Sequence, residues 1–290
     1  VDIGFEGSVG GGIPIIRAVK EGLIANNILS IYGIINGTAN YILSKMAHEG
    51  GKFKDVLRRA QEKGYAEADP TLDVEGIDSA HKLAILVSLC FGTKISLENI
   101  YTEGISHISP LDIKFAKEFG YSIKLLAIAK TEGNAISARV HPTMLPQNHP
   151  LSTVDGVFNA IAIHGDAVGP TIFYGKGAGM MPTGSAVLSD IVDIARNILY
   201  RSHQRVPPLG YQWNRIKEMK IKPMEELEMR YYLRFSVIDR PGVLSKISGI
   251  LGEHNISIAS VIQKGRQIEG AVPVVMITHE AKERNVRRAL

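Results

Sequence analysis

Apolar and polar positions alternate along this chain with a period that changes from one stretch to the next. After Pro14, "IIRAVKEGLIANN" predicts a helix with proline near its first turn and asparagine at its end. "ILSIYGIIN" is apolar and β-branched enough for a buried strand, and "GTANYILSKMAHEG" predicts a helix closing on Gly50. "FKDVLRRAQEKG" has a third helix's amphipathic spacing. Past an irregular acidic stretch, "DVEGIDSAHKLAILVSLCFG" predicts a long helix that becomes apolar as it enters a core. Between about 121 and 175 the pattern turns to strands: "SIKLLAIAKTEGNAISARVHPTML" is a hairpin turning at Glu132, Gly133 and Asn134, and "FNAIAIHGDAVGPTIFYG" is another. "GSAVLSDIVDIARNILY" returns to a helix. Strands in one block with helices around them predict an α+β fold, a mixed sheet covered by helices, rather than a doubly wound parallel sheet.

Residues 205–228 carry Pro207, Pro208 and Pro223 among mixed charges, which marks a linker region. The division expected is a larger domain over 1–210, a linker over 211–228 and a small domain over 229–290. In the last, "RYYLRFSVID" alternates as a strand, "PGVLSKISGILGEHN" is helical, "ISIASVIQKG" and "GAVPVVMITHE" are paired strands, and "AKERNVRRAL" is a helix. That order is β-α-β-β-α, one strand short of a ferredoxin-like βαββαβ module.

Composition narrows the function classes. With 290 residues, 45% hydrophobic and 21% charged, the chain is an ordinary globular one with room for two cores. The net charge of +4 comes from 33 basic and 29 acidic residues spread along the length, so no basic footprint for nucleic acid exists, and the arginines over 284–288 are expected on a solvated helix face. Cys90 is the only cysteine and lies in an apolar run, which excludes a disulfide framework and points to the cytoplasm. No apolar run approaches the ~18 residues that span a bilayer, and no membrane partner is expected. Val1 is not Met and leads straight into the strand-like "VDIGFEGSV", so a preceding segment is expected.

Four stretches could carry chemistry. "FEGSVGGGIPII" crowds Gly7, Gly10, Gly11 and Gly12 ahead of Pro14, but its spacing fits neither the dinucleotide nor the Walker phosphate loop. "GYAEADPTLDVEGIDSAHK", over 64–82, gathers Glu67, Asp69, Asp73, Glu75, Asp78, His81 and Lys82. Asp78 and Lys82 are i,i+4 and share a helix face, either as a surface ion pair or as a lysine held for proton transfer, with Glu67 able to fold over them. "YGKGAGMMPTGSAV" is a Gly-rich link between strand and helix, either a tight turn or a close approach of backbone to ligand. "DRPGVLSKISGILGEHNISI" places Gly242 at a helix start, where backbone amides could hold a carboxylate, and Asn255 and Ile256 where the next strand begins. Thr38 in "NGTANY" is most simply a helix N-cap, and His164 in "AIHGDAVG" a structural residue beside a turn.

Taken together, "FEGSVGGGIPII", "GIINGTANYIL", "GYAEADPTLDVEGIDSAHKLAIL" and "YGKGAGMMPTGSAV" resemble, in order, the motifs of the homoserine dehydrogenase family. "DRPGVLSKISGILGEHNISI" resembles the opening of an ACT domain, a small amino-acid-binding regulatory module. The resemblance implies NAD(P)-dependent interconversion of L-homoserine and L-aspartate 4-semialdehyde in threonine, methionine and isoleucine biosynthesis. It implies that Lys82 is the general acid/base, that Glu67 and Asp78 bind substrate, with Glu67 at its amino group, and that Gly64 and Gly179 approach the NADP or NAD. A monovalent cation, Na+ or K+, is implied on the main-chain oxygens of Glu6, Val9, Gly11 and Ile13. An amino-acid effector, threonine by preference, is implied near Gly242, Asn255 and Ile256, and a homodimer or homotetramer formed through the sheet. The family's N-terminal Rossmann domain and a second functional lysine have no counterpart here, so the fragment alone is expected to be inactive. The sequence departs from the family pattern at Lys176 (commonly Pro), at Met180 and Met181 (commonly small), and at Gly7 and Gly10 (commonly Ala). The rival readings are a non-catalytic amino-acid-binding regulator, which need not keep Glu67, Asp78 and Lys82 together, and a dehydrogenase of another small hydroxy compound, which need not keep Glu67.

Overall fold

A computed structural model of the chain describes residues 2–202, 205–264 and 271–290. It divides into two compact units, Val1–Ile221 and Lys222–Leu290. The unit boundary falls inside the stretch expected as linker. Residues 211–221 belong to the first unit: the Tyr211 hydroxyl donates to the Cys90 carbonyl at 3.3 Å, and the Lys217 amide to the Gly92 carbonyl at 3.0 Å. Two capped backbone groups at the end of a core helix thus draw in a segment that composition alone marks as a linker.

The first unit begins with α1 (Ile15–Arg17), which runs on as a π turn over Ala18–Gly22. The helix expected to reach Asn27 therefore ends earlier, where the Leu23 amide closes the wide turn on the Ala18 carbonyl. β1 (Ile28–Ile34), α2 (Gly37–Glu49) and α3 (Phe53–Glu62) follow as expected. The long acidic-to-apolar helix is two pieces, α4 (Thr71–Val74) and α5 (Ile77–Phe91). Gly76 separates them with φ +78, a left-handed conformation that ends one helix and starts the next. Next come β2 (Tyr101–Thr102) and α6 (Pro110–Glu118), a helix not anticipated although "SPLD" is a full capping box: Ser109 and Asp112 each bond the other's backbone amide. β3 (Tyr121–Glu132), β4 (Ala135–Pro146), β5 (Phe158–Gly165) and β6 (Gly169–Lys176) form the two predicted hairpins. α7 (Met180–Leu199) starts directly after Gly179, earlier than the pattern suggested, and β7 (Lys220–Ile221) closes the unit.

The sheet is seven-stranded, in the order β2-β4-β3-β1-β5-β6 with β7 also on β4. It is antiparallel except where β2 and β7 join β4 in parallel. Alternation sorts β3 between two cores: Leu125, Ala127 and Ala129 face the large cluster shared with Ile42, Met46, Leu83 and Leu86 of α2 and α5, whereas Leu126 and Ile128 face a second cluster with Ile34, Leu145, Leu151 and Val154. Burial on both faces explains why β3 reads as an almost unbroken apolar run.

The second unit contains β8 (Glu228–Met229), β9 (Tyr232–Ile238), α8 (Val243–Glu253), β10 (Ile258–Gln263), β11 (Ala271–Thr278), β12 (Ala281–Lys282) and α9 (Glu283–Ala289). Its sheet runs β10-β11-β9, with β8 and β12 paired separately, giving the expected β-α-β-β-α order plus two short additions. The expected strand ends at Gly265 and Gly270 lie outside the described residues. Leu233, Leu251, Ile256, Val274, Met276 and Val286 form its core. Among the described residues, no helix is long and apolar enough to cross a membrane.

Candidate active site

The acidic motif centres on one ion pair. Asp78 and Lys82 lie one turn apart on α5, and Lys82 Nζ donates to Asp78 Oδ2 at 2.7 Å and to the Ile35 carbonyl at 3.1 Å. Both side chains are partly exposed, Lys82 at 22% and Asp78 at 29%, so solvent reaches the pair. An ammonium has three N–H directions, and two are taken here. The third has no partner among the described residues and can face a substrate hydroxyl.

Asn36 completes the arrangement. It caps α2, its side chain accepting from the Ala39 amide at 2.8 Å, while its Nδ2 donates to Asp73 Oδ1 at 2.7 Å and Asp78 Oδ2 at 2.9 Å. Thr38, expected as the cap, lies inside the helix and donates to the Tyr65 carbonyl at 2.7 Å, tying the first turn of α2 to the loop after α3. An asparagine ahead of Gly-Thr was the signal available for the cap. Nothing local could reveal that its amide meets carboxylates from the far side of α3.

The other members of the motif scatter. Glu67 sits in the loop between α3 and α4 with its side chain exposed. It makes no hydrogen bond to Asp78 or Lys82, and Gln61 Nε2 anchors its carbonyl and that of Ala68 at 3.1 and 3.2 Å. Asp69, two residues ahead of Thr71, accepts from the Thr71 amide and hydroxyl at 3.1 and 2.6 Å, and those bonds hold its carboxyl below the usual range. His81 is exposed. Gly64 follows α3 with φ +72, its amide on the Gln61 carbonyl at 2.9 Å, and a Cβ there would meet nothing within 4 Å.

The two glycine-rich loops meet. Gly10 and Gly11 have φ +72 and +51, the Gly12 amide donates to the Lys176 carbonyl at 3.0 Å, and a Cβ on Gly11 would run into the Gly177 carbonyl. The Glu6 carboxylate accepts from the Ile16 and Arg17 amides at 2.8 and 2.9 Å, so it caps α1. Burial raises its pKa against those bonds. Of the main-chain oxygens of Glu6, Val9, Gly11 and Ile13, that of Ile13 already accepts the Ile15 amide at 2.7 Å. Gly179 precedes α7 at φ +119, ψ +152, a backbone pose open essentially to glycine alone. Beneath it, Asn159 is 1% exposed with its Oδ1 unpartnered, pressed against Gly177. No cluster of three or more His, Cys, Asp or Glu able to hold a metal occurs among the described residues. Burial lifts the Cys90 thiol far above its ordinary range, which leaves it an inert core residue.

In the second unit, Gly242 lines a cavity of about 340 Å³ with Asp239, Arg240, Leu244 and Gln263. Asn255 and Ile256 do not line it. Asn255 holds a left-handed turn, φ +57, after α8, and Ile256 is 3% exposed in the core.

A family model described as homoserine dehydrogenase matches residues 14–192, and one described as ACT domain matches 231–290. A homoserine dehydrogenase of Neisseria gonorrhoeae is 48% identical over 290 residues, covering 100% of this chain and 67% of that protein. The crystal structure of a homoserine dehydrogenase from Thiobacillus denitrificans superposes with a TM-score of 0.92 at 49% identity, over 98% of this chain and 65% of that one. A hyperthermophilic archaeal homoserine dehydrogenase in complex with NADPH superposes with a TM-score of 0.56 at 32% identity, over 65% and 54% of the two chains. The chain thus spans about two thirds of the length of these two bacterial relatives. With a family model matching residues 14–192, a second unit of ACT type and a relative 48% identical over the whole length of this chain, this chain belongs to the homoserine dehydrogenase family.

Proposed function

We propose that this chain supplies the substrate-binding and regulatory parts of an NAD(P)-dependent oxidoreductase that interconverts L-homoserine and L-aspartate 4-semialdehyde. The observation that carries the reading is the Lys82 ammonium, fixed by Asp78 and the Ile35 carbonyl with one donor direction left open. The nicotinamide cofactor, when bound, takes or gives the hydride at the substrate carbinol carbon. Lys82 handles the proton at the substrate oxygen: as an ammonium it donates its open N–H proton to the oxygen when the carbonyl is reduced to the alcohol, and in the oxidation direction it must enter as the neutral amine, which takes the hydroxyl proton and becomes the ammonium. Asp78 holds Lys82 in place and, with Asp73, offers carboxylate oxygens to the substrate. Glu67, exposed on its loop, is free to turn toward the substrate's ammonium group.

The cofactor is NADP or NAD, approached by Gly179, where glycine lets main chain come close, and by Gly64, beside which space is open. For a monovalent cation, the loop at Glu6, Val9, Gly11 and Ile13 offers neutral carbonyl oxygens, while the Glu6 carboxylate is engaged elsewhere. Such a donor set suits Na+ or K+ better than a divalent ion, which favours carboxylates. In the second unit the cavity at Gly242 takes an amino-acid effector, with threonine the first candidate. Self-association through the sheet is supported by its exposed Ile172 and Tyr174.

A non-catalytic regulator is the second reading, and the retained Asp78–Lys82 pair weighs against it. Lys82→Ala in the full-length gene product decides between them. Steady-state kinetics should show kcat lower by about a hundredfold or more with cofactor affinity nearly intact. Unchanged kcat sinks the catalytic assignment.

A further inference from the structure

Every polar atom of the Asn36 side chain is committed. Its Oδ1 receives the Ala39 amide, and its two Nδ2 hydrogens go to Asp73 Oδ1 and Asp78 Oδ2. This is the only orientation of the amide that makes all three contacts donor-to-acceptor. Asn36 is 5% exposed, so water competes little for these bonds. The helix cap fixes the plane of the amide, and the amide in turn fixes where the two carboxylates stand.

The preceding residue works on the same ion pair from the other end. Lys82 Nζ bonds the Ile35 carbonyl at 3.1 Å, while the Asp78 oxygen that it holds at 2.7 Å also takes the Asn36 amide. The dipeptide between β1 and α2 thus sets an acceptor against the ammonium and a donor against the carboxylate. Neither serine, threonine nor aspartate, the other good N-cap residues, could do this: none can donate two hydrogen bonds. Without the amide, Asp73 and Asp78 would present like charges to each other with no donor between them, and Asp78 would be free to leave the rotamer that aims Lys82.

We propose that Asn36 is a positioning residue of the active site, its amide fixing Asp73 and Asp78 and, through Asp78, the direction of the Lys82 ammonium. This rests on the catalytic reading of Lys82 given above. Because Asn36 acts on the geometry of proton transfer, its loss should fall on kcat more than on KM for the nicotinamide cofactor.

The test compares Asn36→Ser, Asn36→Asp and Lys82→Ala in the full-length enzyme, measuring kcat, both KM values and the thermal midpoint. Serine and aspartate keep the cap of α2 but cannot bridge the carboxylates. The Asn36→Ser midpoint should stay close to wild type, Asn36→Asp, which sets a third carboxylate beside Asp73 and Asp78, should melt lower, and kcat should fall roughly tenfold to a hundredfold in both, the range expected when a catalytic group is misplaced by about 1 Å. If one variant fails to fold, the other decides. Wild-type kcat in either folded variant overturns the proposal, because activity would then follow only the cap. Wild-type kcat in Lys82→Ala marks the different failure, that of the catalytic reading itself, and takes this proposal with it.

Discussion

Gly7 and Gly11 share one loop and answer to different constraints. A Cβ on Gly7 would lie 3.4 Å from Thr183 Cγ2, ordinary contact. A Cβ on Gly11 would meet the Gly177 carbonyl, and φ there is +51. Gly7→Ala should therefore shift the unfolding free energy by less than about 0.5 kcal/mol, whereas Gly11→Ala should cost about 1–3 kcal/mol. Thermal or urea unfolding of the two variants checks the contrast, and equal losses would refute it. The sequence displays all of these glycines alike. Which of them is pressed against another backbone depends on a loop brought over from the far end of the sheet. Asn36 has the same history: its preference for a cap is local, but its carboxylate partners arrive from the other side of α3.

Among the elements, α2 carries a second polar face, with Asn40, Ser44 and His48 one turn apart. Asn40 Nδ2 meets the carbonyls of Val154, Gly156 and Phe158 at 3.0 to 3.1 Å. Lys124, 3% exposed on β3, donates to the Val154 carbonyl at 2.6 Å and to Asp155 at 2.9 Å, and His48 and Ser44 also bond Asp155. Burial lowers the Lys124 pKa and outweighs the opposing pull of Asp155. Burial alone would raise the Asp155 pKa, but the bonds from Lys124 and His48, with the Lys124 charge and Ser44, carry it below the usual value. A depressed carboxyl stabilises the fold above its unfolded pKa, and that contribution fades as pH falls below about 4. Asp155→Ala should cost about 1–3 kcal/mol at neutral pH, because a buried ammonium loses its counter-charge, and less than for an enclosed pair, since the Asp155 side chain is 47% exposed. Lys124→Met, which removes the buried charge instead, should cost less. Denaturant unfolding at neutral pH gives the ranking, and the reverse order would show that the network is not held together by the lysine's need for a partner. The helices and hairpins themselves were legible, since period and turn residues are local. The break at Gly76 and the capped α6 were signalled too, by a glycine inside an apolar pattern and by "SPLD". The π turn after α1 carried no such signal.

For the whole molecule, the two units separate at Ile221, and the proposed effector site belongs to the second. Calorimetry with threonine, and then the other amino acids of the pathway, should show binding that Gly242→Val weakens at least tenfold, while Asn255→Gly, which relieves a left-handed turn outside the cavity, leaves it nearly unchanged. Equal losses in both variants would move the site away from Gly242. The α+β class, the two-part organisation and the family were determined by the sequence itself, through hydrophobic period, turn residues and motif order, which are properties of neighbouring residues. Only the tertiary structure decided which members of the acidic motif act together. It placed Asp73 and Asp78 on Asn36, turned Asp69 to Thr71, left His81 exposed, withdrew Ile256 into a core, and left Leu188, Ile191 and Leu199 of α7 exposed although their spacing is that of a core-facing helix. The physical reason is that hydrogen bonds and burial depend on distances between segments remote in the chain, and no local pattern encodes those distances.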